Sequence, residues 1–212
     1  NMMRNVLKDG LALEQESGLN PFRQGFIGST DTHTATSGGA MEKNYVGHLG
    51  SRYATFRNLQ DHFVSNPGGL AEVWAEENRR DAIFEAMRRR ETYATSGTRP
   101  IVRFFAGDYD ENLCESTDAL EQAYAAGVPM GGVLERSDDD AAPRFFISAQ
   151  RDQGTDLYPA NPLERIQIIK GWVDDAGETH ERVVDVLGEE TVGLGVDMNS
   201  CAATAPGHAS LC

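Results

Sequence analysis

The sequence predicts an α/β region over residues 1–95 followed by a mainly antiparallel, β-rich region over residues 96–212. Three observations carry this reading. Apolar residues recur at helical spacing near both ends of the first region. After Tyr93 the pattern changes to short strand-like runs separated by Gly, Asp and Pro clusters. The charge breaks at the same place: 11 basic and 12 acidic side chains precede residue 96, against 8 basic and 21 acidic after it.

The elements follow in order. Met3, Val6, Leu7, Leu11 and Leu13 predict a helix over residues 2–17, closed by Gly18. Asn20-Pro21 marks a turn, and Gln24 to Ser29 reads as a short buried strand entering a polar loop. Residues 30–68 are rich in Gly, Ser, Thr and Asn, with little periodicity. Long irregular segments of this kind carry function more often than structure. Leu70 to Glu77 reads as a short helix, and Arg79 to Arg90 as a second, capped by Asn78 with Asp81 at the third position. Ile83, Phe84 and Met87 form its apolar stripe, and Arg88-Arg89-Arg90 complement the dipole at its C-terminal end. Pro100 to Ala106, Arg144 to Ser148, Arg165 to Val173 and Glu181 to Leu187 read as strands, the last two joined by a hairpin loop at Asp174-Asp175-Ala176-Gly177. One helix interrupts them near Ser116 to Ala126, with Ser116 or Thr117 as cap and Gly127 as stop.

Composition excludes several function classes. With 212 residues the chain can bury a real core. Its net charge of −14 argues against nucleic acid as a partner, since phosphate contacts need clustered cations. Mean hydropathy is −0.45, and the apolar runs fall far short of a membrane span. No basic segment followed by an apolar one opens the chain, and the compartment stays open. The surplus acid beyond residue 95 is read as a solvated face. Cys114, Cys201 and Cys212 lack a C-x-x-C pair, which leaves room for one bridge and no zinc ribbon.

The sharpest local signal is Gly28-Ser29-Thr30-Asp31-Thr32-His33-Thr34 at the end of the predicted strand. Residues two apart on an extended segment point the same way, so Asp31 and His33 can offer an oxygen and a nitrogen to one cavity. That donor pair suits Zn, Mn or Fe as a divalent metal cofactor.

The run GFIGSTDTHT resembles the last metal motif of the PHP (polymerase and histidinol phosphatase) metal-hydrolase superfamily. NPGGLAEVWAEENRRDAIFEAMRRRETYATSGTRPIVRFFAG, GVPMGG and ERIQIIKGWVD are similar to a bacterial branch of it, the domain-of-unknown-function 3604 family, over most of residues 2–190. The resemblance implies a distorted (β/α)7 barrel holding up to three metal ions, often with phosphate-ester hydrolysis as its activity. It makes Asp31 and His33 the last two metal ligands. The pattern departs from the superfamily in lacking an H-x-H pair, the histidines standing at 33, 48, 62, 180 and 208. The expectation is therefore the C-terminal part of the barrel, its last motif strand, loop and closing helices over residues 1–95, with the β-rich extension behind it. Such a fragment needs a missing N-terminal half or an oligomer partner. By itself it would be inactive, with a small-molecule or phosphate-ester substrate reached only in the complete protein.

Other candidates are ranked below these. His48 and Glu42 lie on the irregular segment where a proton donor or general base would sit. Arg99, before Pro100, has the planar fork that holds an anionic substrate group. Trp74 and Trp172 read as core. The alternative to a metal-dependent hydrolase is a non-catalytic β-rich binding or scaffolding module.

Overall fold

The structure, a computed structural model, describes residues 2–29, 69–109, 112–135, 142–156, 160–188, 197, 199–200 and 207–212. It divides into two compact units, one of Asn1–Gln24 with Leu163–Leu211 and one of Gly25–Pro162 with Cys212. Helix and sheet are mixed, the strand pairs detailed below are antiparallel, and no barrel closes among the described residues. The charge break at residue 95 falls inside a strand.

In the first unit, α1 (Met2–Ser17) lies where its spacing predicts and ends with the Gly18 N–H donating to the Glu14 carbonyl at 2.8 Å. It packs on the hairpin of β6 (Ile166–Val173) and β7 (Thr179–Leu187). Polar anchors fix this contact. Glu181 accepts from Arg4 at 2.7 Å and lies 3.5 Å from Lys8 Nζ, and Gln15 donates to the Asp174 carbonyl at 3.0 Å. The Arg4 hydrogen bond holds the Glu181 carboxyl below its ordinary range. The predicted hairpin loop is a tight turn organised by Asp174. Its Oδ1 accepts from the Ala176 and Glu178 N–H groups at 3.0 and 2.9 Å, and its Oδ2 lies 2.7 Å from His180 Nε2. Trp172 is half-buried rather than core, stacked on the His180 ring with centroids 5.3 Å apart.

The second unit opens with a hairpin of β1 (Gly69–Val73) and β2 (Thr92–Ser96), separated by α2 (Arg80–Arg88). Local spacing over Leu70 to Glu77 predicts helix. Instead its first half forms a strand, because antiparallel pairing with the β-branched and aromatic run Thr92–Ser96 outweighs local helical preference. The Trp74 N–H donates to the Glu91 carbonyl at 3.0 Å, carrying the pairing one step further. The Arg79–Arg90 expectation becomes α2, flanked by Arg79, which makes no side-chain cap bond, so Asn78 does not cap it. Its buried face centres on Ala86, and Phe84 and Met87, expected to pack, are 59% and 46% exposed. The basic triplet serves neighbours rather than the dipole alone. Arg88 pairs with Glu85 and Arg89 with Glu91, while the Arg90 Nε–H donates to the Gly131 carbonyl at 3.0 Å.

Strand β3 (Ile101–Gly107) sits between β4 (Gly127–Pro129) and β5 (Arg144–Gln150), with Phe105 opposite both Pro129 and Phe146. A 3-10 turn (Leu113–Glu115) and α3 (Ala119–Ala126) cover this sheet. Helix α3 starts later than expected. Asp118 takes the flanking position, its carboxylate bound by Ser116 Oγ, and Gly127 ends the helix as predicted, in extended conformation. Phe105, Tyr109, Leu113, Ala123 and Phe146 form the core, each large side chain worth about 1.5–3 kcal/mol when buried. A disulfide joins Cys114 to Cys212 across a separation of 98 residues, within this unit. The remaining strand is β8 (Ser210–Leu211).

Candidate functional site

Asp31, His33, Glu42 and His48 lie outside the described residues. The described chain does show what leads to them. Gln24 to Ser29 is not the buried strand its sequence suggests: it joins no ladder, and Phe26 and Ile27 are 41% and 55% exposed. Gly25–Ser29 is laid against the β1–β2 hairpin instead. Thr92 Oγ1, on a buried residue, donates to the Phe26 carbonyl at 2.8 Å. A Cβ at Gly28 would stand 2.9 Å from the carbonyl oxygens of both Leu70 and Thr95, so only glycine lets the segment approach the hairpin this closely. One residue on, Ser29 abuts Gly69, where a Cβ would meet the Ser29 carbonyl oxygen at 2.4 Å. The chain thus leaves and re-enters the described fold at one point, with Asp31 two residues beyond the departure.

A cavity of about 650 Å³ opens elsewhere in the same unit, lined by Trp74, Ala75, Glu76, Arg89, Glu91, Arg103, Tyr124 and Pro129. Trp74 follows β1, and its indole N–H donates to the Val102 carbonyl at 3.0 Å, which fixes the ring plane. The Arg103 guanidinium on β3 lies over that ring, its central carbon 3.2 Å from the centroid. Arg103 Nη1 also donates to the Tyr124 hydroxyl on α3 at 3.0 Å. That hydroxyl donates in turn to Glu91 Oε1, while Arg89 Nη2 reaches Glu91 Oε2 at 3.3 Å. Glu91 is 4% exposed, so it is a buried carboxylate with both oxygens occupied. Burial first, and then the bond to Glu91, push the Tyr124 hydroxyl above its ordinary pKa, which keeps it a proton donor at neutral pH.

Arg99 stands apart from this group. Its backbone N–H donates to Asp152 Oδ2 at 2.8 Å, and it does not line the cavity. Sequence reasoning passed over Glu91, Arg103 and Tyr124 and took Trp74 for core. The available signal was the single cation in the apolar run Ile101-Val102-Arg103-Phe104-Phe105, since a charge there needs a partner or a purpose.

Among the described residues no group of three or more His, Cys, Asp or Glu is placed to hold a metal ion. By donor chemistry, the carboxylate of Asp31 and the imidazole of His33 fit a divalent ion of the Zn, Mn or Fe type.

These features define a mixed α and antiparallel β protein with an arginine-bearing cavity. The family described as "Protein of unknown function (DUF3604)" matches residues 1–205, and the chain belongs to it. No curated protein and no solved structure matches the chain.

Proposed function

We propose that the chain is a PHP-type component of a metal-dependent hydrolase acting on phosphate esters, with Asp31 and His33 as metal ligands. The observation behind this is the D-x-H motif two residues beyond Ser29, where the chain departs from a backbone clamped by Thr92, Leu70 and Thr95. Such a clamp gives paired ligands a fixed origin, as a site built on a rigid element requires. A bound divalent ion supplies Lewis-acid polarisation of an ester oxygen. The chain's own part is to hold that ion through Asp31 and His33, with Glu42 and His48 as proton-transfer candidates on the same segment. Catalytic sites hold three protein ligands and this motif supplies two, so the chain alone is expected not to turn over a phosphate ester.

The test is equilibrium dialysis of the chain against Zn²⁺ and Mn²⁺, with bound metal measured by elemental analysis. Asp31→Ala and His33→Ala should each weaken binding by about tenfold or more. Unchanged metal stoichiometry in both variants would remove the assignment.

A second reading, the non-catalytic binding module, has the cavity as its support. Trp74, Arg89 and Glu91 come from before residue 96, and Arg103, Tyr124 and Pro129 from after it. A binding module would accordingly be a property of Gly25–Pro162 as a whole.

A further inference from the structure

We propose that the cavity beside Trp74 is a binding site for a small organic anion, a carboxylate or a phosphate monoester, held by the guanidinium of Arg103. This inference is independent of the metal reading, since it uses none of the residues of the D-x-H segment.

The argument turns on how the charges in the cavity are shared out. Two acids and two arginines line the cavity: Glu91 is buried, its two oxygens taken by the Tyr124 hydroxyl and by Arg89, and Glu76 makes no ion pair with Arg103. No carboxylate among the described residues lies within ion-pair distance of Arg103, whose one hydrogen bond there goes to the neutral Tyr124 hydroxyl. A guanidinium carries five N–H donors, and among the described residues only one of those of Arg103 is used, which leaves donors for a ligand.

Arg103 is also held in place. Trp74 supports one face of its plane, Tyr124 fixes one nitrogen, and each of these is itself anchored, Trp74 on the Val102 carbonyl and Tyr124 on Glu91. Ordering a free arginine side chain on binding costs up to about 2 kcal/mol, and here the fold has already met much of that cost. A planar, oriented fork matches the two oxygens of a carboxylate or phosphate. The volume lies within the ordinary range for small-molecule sites, and Trp74, Ala75 and Pro129 supply apolar wall for the body of such a ligand.

Trp74 and Trp172 are the two tryptophans, so the Trp172→Phe chain reports on Trp74 alone. It is stripped of metal with EDTA, dialysed free of the chelator, and titrated with phenyl phosphate, benzoate and benzyl alcohol, so that no bound metal contributes. Saturable change in Trp74 fluorescence with either anion at up to about 10 mM, and not with the neutral alcohol, is the expected result. The relative response to phenyl phosphate and benzoate separates a phosphate site from a carboxylate site. Arg103→Gln should weaken binding by about tenfold or more. Tyr124→Phe keeps the cation and its stack but frees the fork to rotate, and should weaken it less. Should Arg103→Gln fail to fold, the ligand series and the Tyr124→Phe chain still decide the matter. Absence of saturation with both anions, an equal response to benzyl alcohol, or unchanged affinity in a folded Arg103→Gln chain would each overturn the proposal. Failure here alongside intact metal binding leaves the hydrolase reading standing, and the converse also holds.

Discussion

Arg90 and Gly131 lock each other's backbone. The Arg90 Nε–H donates to the Gly131 carbonyl at 3.0 Å, and the Arg90 carbonyl oxygen fills the space where a Cβ on residue 131 would lie, 2.2 Å away. Both sit in the left-handed region, Arg90 at φ 62° and Gly131 at φ 82°. For Arg90 that conformation carries a cost of about 1–2 kcal/mol, which the reciprocal contact offsets. Gly131→Ala adds a steric clash to an unfavourable φ, and backbone oxygen cannot swing aside. We expect a loss of about 2–4 kcal/mol. Thermal unfolding should show a fall in Tm of roughly 4–16 °C for a chain of this size.

The disulfide between Cys114 and Cys212 closes a loop of 98 residues in sequence separation. Constraint of the unfolded chain predicts a contribution of up to about 4–5 kcal/mol. Urea unfolding with and without reductant measures it. The Cys212→Ser chain should match the reduced parent, and a midpoint insensitive to reductant in the parent would show that the bridge does not form in solution.

The turn between β6 and β7 should be acid-sensitive. Asp174 is held below the ordinary carboxylate range by its hydrogen bond with His180 first, and by the Glu178 and Ala176 N–H groups. A depressed folded-state pKa gives stability that is present above the unfolded value, near 4, and is lost as pH falls through the folded one. Trp172 fluorescence in the Trp74→Phe chain should therefore change on acidification below about pH 4. The Asp174→Asn chain, with no carboxylate to titrate, should lack that change.

Gly28→Ala tests the clamp on the D-x-H segment. Its Cβ would press on two strand carbonyls at once, and strands of a paired hairpin do not part cheaply. The expected cost is about 1–3 kcal/mol in a denaturant titration. Metal binding should weaken in the same variant while Trp172 fluorescence stays unchanged.

How much of this was readable from the residues differs by element. Helix α1 and the Ile166–Val173 and Thr179–Leu187 hairpin follow from local periodicity and turn chemistry, which act over a few residues. Leu70 to Val73 does not announce itself as a strand, because Thr92–Thr95, its partner, lies about twenty residues away and pairing over that distance leaves no local trace. The same holds for the cavity. Trp74, Glu91, Arg103 and Tyr124 come from four segments, and nothing in their spacing announces that they meet. The D-x-H motif shows the opposite case, a signal legible in sequence whose candidate residues lie outside the described structure.

The meeting of Ser29 with Gly69 has a further consequence for what the fold tolerates between them. When the two ends of an insertion are fixed side by side by the body of the fold, lengthening it costs little, about 0.6 kcal/mol for each doubling. A short Gly-Ser run inserted between residues 30 and 68 should accordingly leave the midpoint of urea unfolding almost unchanged. Gly28, Gly69 and Thr92 form the socket that keeps Ser29 and Gly69 together.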